Sequence, residues 1–166
     1  LENLERLTRL NRSLLLISKI ENDQFQMREE VHLQVVIEKN ISDFSEMLHH
    51  KNQKINFDAE HRTVKNANPD LIYILFSNLI KNSIAHGQSG SEISMKLSDK
   101  DFVISNYSQS DSLQNEDIFE RFQKIGNNPN STGLGLSIAK STAEKLGFTL
   151  EYHFQNGQHY FTVEFN

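Results

Sequence analysis

Near the C-terminus, Asn156-Gly157 separates two runs of strand-forming residues, 148–154 and 160–165. An Asn-Gly pair supplies the two consecutive left-handed residues of a tight hairpin turn, so this stretch is read as two antiparallel strands. A sheet with an apolar face needs helices to cover it, and the rest of the chain offers both. Residues 92–97 and 102–106 form a second strand pair meeting at Ser98-Asp99-Lys100-Asp101, with Gly87 and Gly90 bracketing the turn before them. Residues 55–59 and 61–64 are also strand-like, and 31–50 read as one helix. Pro69-Asp70 opens a strong helix running to about His86. A short helix is expected near 116–123, and 126–132 is rich in Gly, Asn and Pro, as a mobile loop would be. Gly133-Leu134-Gly135 leads into a helix that Gly147 ends. The expected fold class is α+β: a two-layer α/β sandwich with a mostly antiparallel mixed sheet, helices on one face, and an N-terminal helix.

That N-terminal helix carries Leu1, Leu4, Leu7, Leu10, Leu14 and Ile17 at helical spacing, with Leu7/Leu14 and Leu10/Ile17 seven apart. It reads either as an amphipathic helix packing on its own domain or as the tail of a longer helix pairing with another chain. No initiator Met and no N-cap residue precede the run, so the helix is expected to start upstream. Composition removes other classes. The chain has no cysteine, which excludes a disulfide scaffold, a cysteine nucleophile and a thiolate zinc site. Its formal charge is −5 with no dense Lys/Arg block, which argues against nucleic acid as a partner. The longest apolar run, Leu71-Ile72-Tyr73-Ile74-Leu75-Phe76, falls far short of the roughly 20 residues that cross a bilayer. A soluble acidic domain facing the cytosol is expected.

The helix opened by Pro69 carries the most chemistry. At about 100° per residue, Asn78 and Asn82 lie within roughly 40° of each other, and Leu71, Ile74, Leu75 and Leu79 fall around the same direction. Two amides are thus expected inside the apolar stripe, where an unpartnered amide costs about 1–3 kcal/mol. Either the backbone satisfies them as core asparagines, or a polar ligand or ion does; a pair at i, i+4 favours the second. Carboxamide oxygens are hard neutral acceptors suited to Mg²⁺.

Two further segments stand out. In Ser131-Thr132-Gly133-Leu134-Gly135-Leu136-Ser137, glycines at i, i+2 let a ligand approach the backbone, and the following helix aims free N–H groups at an anion. It is neither a P-loop nor a dinucleotide fingerprint, because no Gly-Lys-Ser/Thr closes it and Ile138 stands where the third glycine belongs. A plain helix start behind a flexible loop accounts for the glycines about equally well. Ile118-Phe119-Glu120-Arg121-Phe122-Gln123-Lys124 places two phenylalanines three apart, with Arg121 and Lys124 beside the hinge of a possible lid.

In this order the segments resemble the catalytic, ATP-binding domain of sensor histidine kinases, in the gyrase and histidine-kinase ATPase superfamily with its Bergerat fold. Phe76-Ser77-Asn78-Leu79-Ile80-Lys81-Asn82-Ser83 looks like the N box, and Ile104-Ser105-Asn106-Tyr107-Ser108 stands in the place of the first glycine box. Ile118-Phe119-Glu120-Arg121-Phe122 looks like the F box, and Thr132-Gly133-Leu134-Gly135-Leu136-Ser137-Ile138-Ala139-Lys140 like the second glycine box. Residues 1–25 are similar to the end of the second helix of the dimerisation and phosphoacceptor domain, leaving 26–166 as the catalytic domain.

The resemblance implies ATP and Mg²⁺ as cofactors, with Asn82 the metal ligand. It implies a nucleotide site made of Asn78, Asn82, His86, Asn106, Ser108, Phe119, Phe122, Thr132, Gly133, Leu134, Gly135 and Leu136. Asn106 would hold the adenine amino group, residues 124–132 would be the ATP lid, and Asn78, Lys124 and Arg121 would serve catalysis. It further implies a phosphoacceptor helix of the same or a partner chain, a response regulator receiver domain, a homodimer in the full protein, and a cytoplasmic place in an inner-membrane sensor. Hydrolysing members of the superfamily carry a glutamate where this chain has Asn78; an amide cannot take a proton from water, so the resemblance favours a kinase over an ATPase. None of the seven histidines sits in the acceptor context, so the acceptor is expected upstream of Leu1.

The chain departs from the family pattern at Asn106, Ser108 and Ser110 in the first glycine box, and at Ala85, where a phosphate-contacting lysine is usual. Lys124 or Arg121 would compensate for that lysine. These departures keep a degenerate nucleotide-binding or interaction module as the alternative, and a hydrolysing ATPase as a third reading.

Overall fold

A computed structural model describes residues 2–60, 63–107, 118–121 and 133–166. The elements run α1 (Glu2–Glu21), β1 (Glu29–His32), α2 (Leu33–Asp43), α3 (Ser45–His50), β2 (Lys54–Ala59), β3 (Val64–Ala67) and α4 (Pro69–His86). They continue with β4 (Glu92–Leu97), β5 (Asp101–Tyr107), α5 (Gly135–Leu146), β6 (Thr149–Gln155) and β7 (Gln158–Glu164). Five strands make one mixed sheet in the order β2-β4-β5-β7-β6, and only the β2–β4 pairing is parallel.

The period-2 alternation of each strand sets which face is dry. Ile93, Met95 and Leu97 of β4, Phe102 and Ile104 of β5, and Phe161 and Val163 of β7 are buried in the main core. They meet side by side, with Met95 opposite Ile104 and Ile104 opposite Phe161. The intervening residues, including Asn56, Asp58, Lys96, Glu151 and His153, are exposed. α4 and α5 pack together over the dry face and α2 packs against α4. Phe76 of α4 meets Phe102 edge to face, ring centroids 4.9 Å apart. Burying side chains of that size contributes roughly 1.5–3 kcal/mol each.

α4 owes its start to local chemistry. The Asn68 side chain accepts from the Leu71 N–H at 3.0 Å and Pro69 takes the first helical position, where no backbone donor is needed. α5 stops at Gly147, which adopts φ +79°, and Asn156-Gly157 takes φ +52° and +74° in the hairpin turn.

Two expectations are corrected. The single helix over 31–50 is a short strand and two helices. Val31 pairs opposite Lys65 in a separate β1–β3 ribbon, and the helix breaks at Phe44. The strand expected at 61–64 is displaced to Val64–Ala67, because pairing with β1 decides its register; residues 61–62 lie outside the described residues. The short helix expected at 116–123 and the loop at 126–132 lie largely or wholly outside them too; 118–121 form a turn.

α1 docks through its C-terminal half. Ile17 and Ile20 are buried in a second cluster with Leu71, Leu134 and Ile138. Leu4, Leu7, Leu14 and Leu15 of the same helix are exposed.

Candidate functional site

Three residues one helical turn apart, Asn78, Asn82 and His86, form a line along α4. Eight residues at 1.5 Å each make that line about 12 Å long, comparable with an extended nucleoside triphosphate. All three are half-buried, which corrects the expectation that both amides sit sequestered in oil. The stripe buried beneath α4 is centred on Leu75, Phe76, Leu79, Ile80 and Ser83, and the asparagines stand on its rim. Asn78 donates its Nδ2 to the Ile74 carbonyl at 2.8 Å, so the backbone satisfies half of that amide. Its oxygen and the Asn82 amide take no partner among the described residues.

The start of α5 lies beside the Asn78 end of this line. A Cβ on Gly135 would stand 3.5 Å from Asn78 Oδ1, so the second glycine-rich segment and the asparagine helix are in contact. Gly133 uses φ +69°, a conformation glycine takes without penalty. Among the described residues α5 has no side-chain cap and no acid in its first turn, which leaves its first N–H groups suited to an anion. The leucines here do structural work. Leu134 is fully buried against Ile17 and Ile20, and Leu136 belongs to the main core.

The other end of the line meets the sheet. Asn106 closes the inward face of β5, is 2% exposed, and donates Nδ2 to the Tyr107 carbonyl at 3.3 Å. A Cβ on Gly87, directly after α4, would lie 3.6 Å from Asn106 Cβ. His86 is held below the ordinary imidazole value, first by burial and then by the charges of Lys51 and His159. Lys51 reaches from the end of α3 to donate to the Ala85 carbonyl, and also to that of Gly87 at 3.4 Å. It therefore caps the C-terminal end of α4, and burial lowers its own pKa. Lys81 is exposed.

Of the remaining predicted residues, Arg121 ion-pairs with Glu21 of α1, both half-exposed. Phe119 packs against the main core, with Lys140 Nζ 5.6 Å from its ring centre. Ser108, Phe122, Lys124 and Thr132 lie outside the described residues. The structure thus brings together Asn78, Asn82, His86, Asn106 and Gly135, and directs Arg121, Leu134 and Leu136 elsewhere.

No individual role for Ser83, Lys51 or His159 was read from the sequence. The signal for His159 was present in β7, where His159, Phe161 and Val163 alternate on one face and the first is polar. Among the described residues no group of three or more His, Asp or Glu could hold a metal. The described residues therefore build no metal cage. A single carboxamide oxygen at Asn82 fits a hard cation that takes its other ligands from phosphate and water, which is how Mg²⁺ is usually held.

A family model described as histidine kinase-, DNA gyrase B-, and HSP90-like ATPase matches residues 67–166, and the chain belongs to that family of ATP-binding domains. The heme sensor protein HssS of Staphylococcus saprophyticus is 33% identical over 144 residues, covering 83% of this chain and 31% of that protein. The chain thus spans about a third of the length of the curated relatives it matches. In fold it is similar to the Acinetobacter baumannii histidine kinase AdeS, with a TM-score of 0.78 at 23% identity, covering 98% of this chain and 79% of that one. Full-length ShkA in complex with AMPPNP matches at TM-score 0.77 and 16% identity, covering 95% of this chain and 35% of that one. No helix among the described residues is long and apolar enough to cross a membrane.

Proposed function

We propose that this chain is the ATP-binding catalytic segment of a two-component sensor histidine kinase. It would transfer the γ-phosphoryl group of ATP to a histidine outside residues 1–166. The observation that carries the reading is the line Gly135, Asn78, Asn82, His86, ending at buried Asn106: a backbone anion site at one end and a polar purine site at the other.

In this reading Asn82 holds Mg²⁺, which supplies charge neutralisation of the phosphates when bound. The N–H groups at the start of α5, freed by the glycines, position the phosphate chain. Asn78 is fixed by its bond to the Ile74 carbonyl with its oxygen turned toward Gly135, and it aligns the terminal phosphate without serving as a base. Asn106 offers its oxygen to the adenine amino group, while His86 packs beside the base. Such a site does little covalent chemistry; its contribution is orientation and electrostatics, with the acceptor imidazole as nucleophile.

Residues 1–25 end the second helix of the dimerisation and phosphoacceptor domain, and 26–166 are the catalytic domain. The exposed row Leu4, Leu7 and Leu14 is suited to a homodimer partner. A response regulator receiver domain takes the phosphoryl group onward, and the segment works on the cytoplasmic side of an inner-membrane sensor. The test is phosphoryl transfer from labelled ATP to an added acceptor domain from the same full-length protein. Label on the acceptor histidine supports the reading. Nucleotide binding without transfer would favour a degenerate module, and steady phosphate release a hydrolysing ATPase.

A further inference from the structure

His159 lies directly across the strand pair from Asn106, both side chains facing the helices. It is 3% exposed, and its Nδ1 shares a 2.8 Å hydrogen bond with the Tyr152 hydroxyl. Tyr152 is on β6, on the side of β7 away from Asn106. An imidazole's two nitrogens point to opposite sides of the ring, so Nε2 is directed away from Tyr152, and among the described residues it has no partner. On α4 the Ser83 hydroxyl is fully buried without a partner, one turn before Gly87, the residue packed against Asn106. Buried polar groups normally find partners, so the unpartnered Ser83 hydroxyl near the buried Asn106–His159 pair marks a place where a polar ligand belongs.

We propose that His159 reads the purine together with Asn106: the Asn106 oxygen accepts from the exocyclic amine, and His159 Nε2–H donates to ring nitrogen N1. The Asn106 Nδ2 is already committed to the Tyr107 carbonyl, which leaves its oxygen as the acceptor. In this proposal the Tyr152 hydroxyl donates to Nδ1, which places the imidazole proton on Nε2, so that the pair presents one acceptor beside one donor. That is the complement of the 6-amino, N1 edge of adenine and a mismatch for a 6-oxo purine, whose acceptor and donor are exchanged. His159 is a specificity residue in this scheme, and Tyr152 positions it by fixing the tautomer.

The proposal rests on the nucleotide reading above, and one titration separates their failures. The chain is titrated with Mg·ATP and with the triphosphate of 1-deazaadenosine, which has a C–H where N1 would be. The expected result is a roughly three- to tenfold preference for ATP, the worth of one hydrogen bond. His159→Phe should bind both equally, and His159→Gln, which keeps an N–H donor, should restore part of the preference. Equal binding of both nucleotides by the unaltered chain overturns the His159 assignment and needs no variant to fold. A preference that survives in a folded His159→Phe chain overturns it too. No binding of either nucleotide at millimolar concentration overturns the nucleotide reading itself.

Discussion

Gly87→Ala is the substitution whose cost the structure sets most directly. Gly87 is extended, at φ −66° and ψ 148°, so alanine adopts the backbone freely and strain contributes nothing. The obstacle is space. A Cβ would stand 2.6 Å from the Ser83 carbonyl oxygen and 2.8 Å from Gln53 Nε2. The first atom is helix backbone that already accepts the Gly87 N–H at 2.9 Å. The second belongs to a buried amide bonded to the Gln88 carbonyl at 3.2 Å. Neither retreats cheaply, so the end of α4 must move off the sheet. Overpacking of this kind costs about 1–3 kcal/mol, offset by about 0.4–1 kcal/mol from the stiffer unfolded chain. Taking the middle of both ranges, a net loss of about 1.3 kcal/mol lowers the melting temperature of a chain this size by roughly 3–5 °C. Scanning calorimetry should be run beside Gly90→Ala, where a Cβ meets nothing within 4 Å but φ is +78°. Both variants should melt earlier, and only Gly87→Ala should also shift the Asn106 amide resonances. An unchanged melting temperature for Gly87→Ala would refute the close packing of α4, Gln53 and β5.

Two further outcomes follow from buried polar groups at the same end of the site. Burial holds His86 and His159 below the ordinary imidazole value of 6.5, so the unfolded chain binds protons that the native chain refuses. The associated stability is present above about pH 6.5 and is lost as pH falls below it; a thermal titration should show that slope, flattened in His86→Gln/His159→Gln. A slope unchanged in that double variant would contradict the assignment. Ser83→Ala removes a buried hydroxyl without a partner and should raise stability by roughly 1–3 kcal/mol in denaturant titration; a loss would show that the hydroxyl is satisfied.

Where a single residue dictates local geometry, the fold was legible in the sequence. Pro69-Asp70 opens α4 as expected, Gly147 ends α5, and Asn156-Gly157 turns the hairpin. Register and burial were less legible, because they depend on partners far along the chain. Val31 alone does not announce a strand until Lys65 lies opposite it, and Phe44 breaks a helix whose apolar spacing continues through it. Angular spacing placed Asn78 and Asn82 on one side of α4 but not at the rim, since the width of the buried arc is set by the sheet beneath. The contact between Asn78 and Gly135, 57 positions apart in the numbering, was reached only through resemblance, and no periodicity contains it. His159 went unnoticed because its importance comes from standing opposite Asn106 on another strand.

The proposed function turns on the Asn82 carboxamide holding the cation of a metal-bound triphosphate. Calorimetric titration of the chain with ATP, in magnesium and again in chelator, tests it most directly when repeated on Asn82→Ala. The expected result is binding that weakens sharply without magnesium in the unaltered chain, and weak binding indifferent to magnesium in the variant. Affinity in Asn82→Ala that still rises with magnesium as it does in the unaltered chain would contradict the claim.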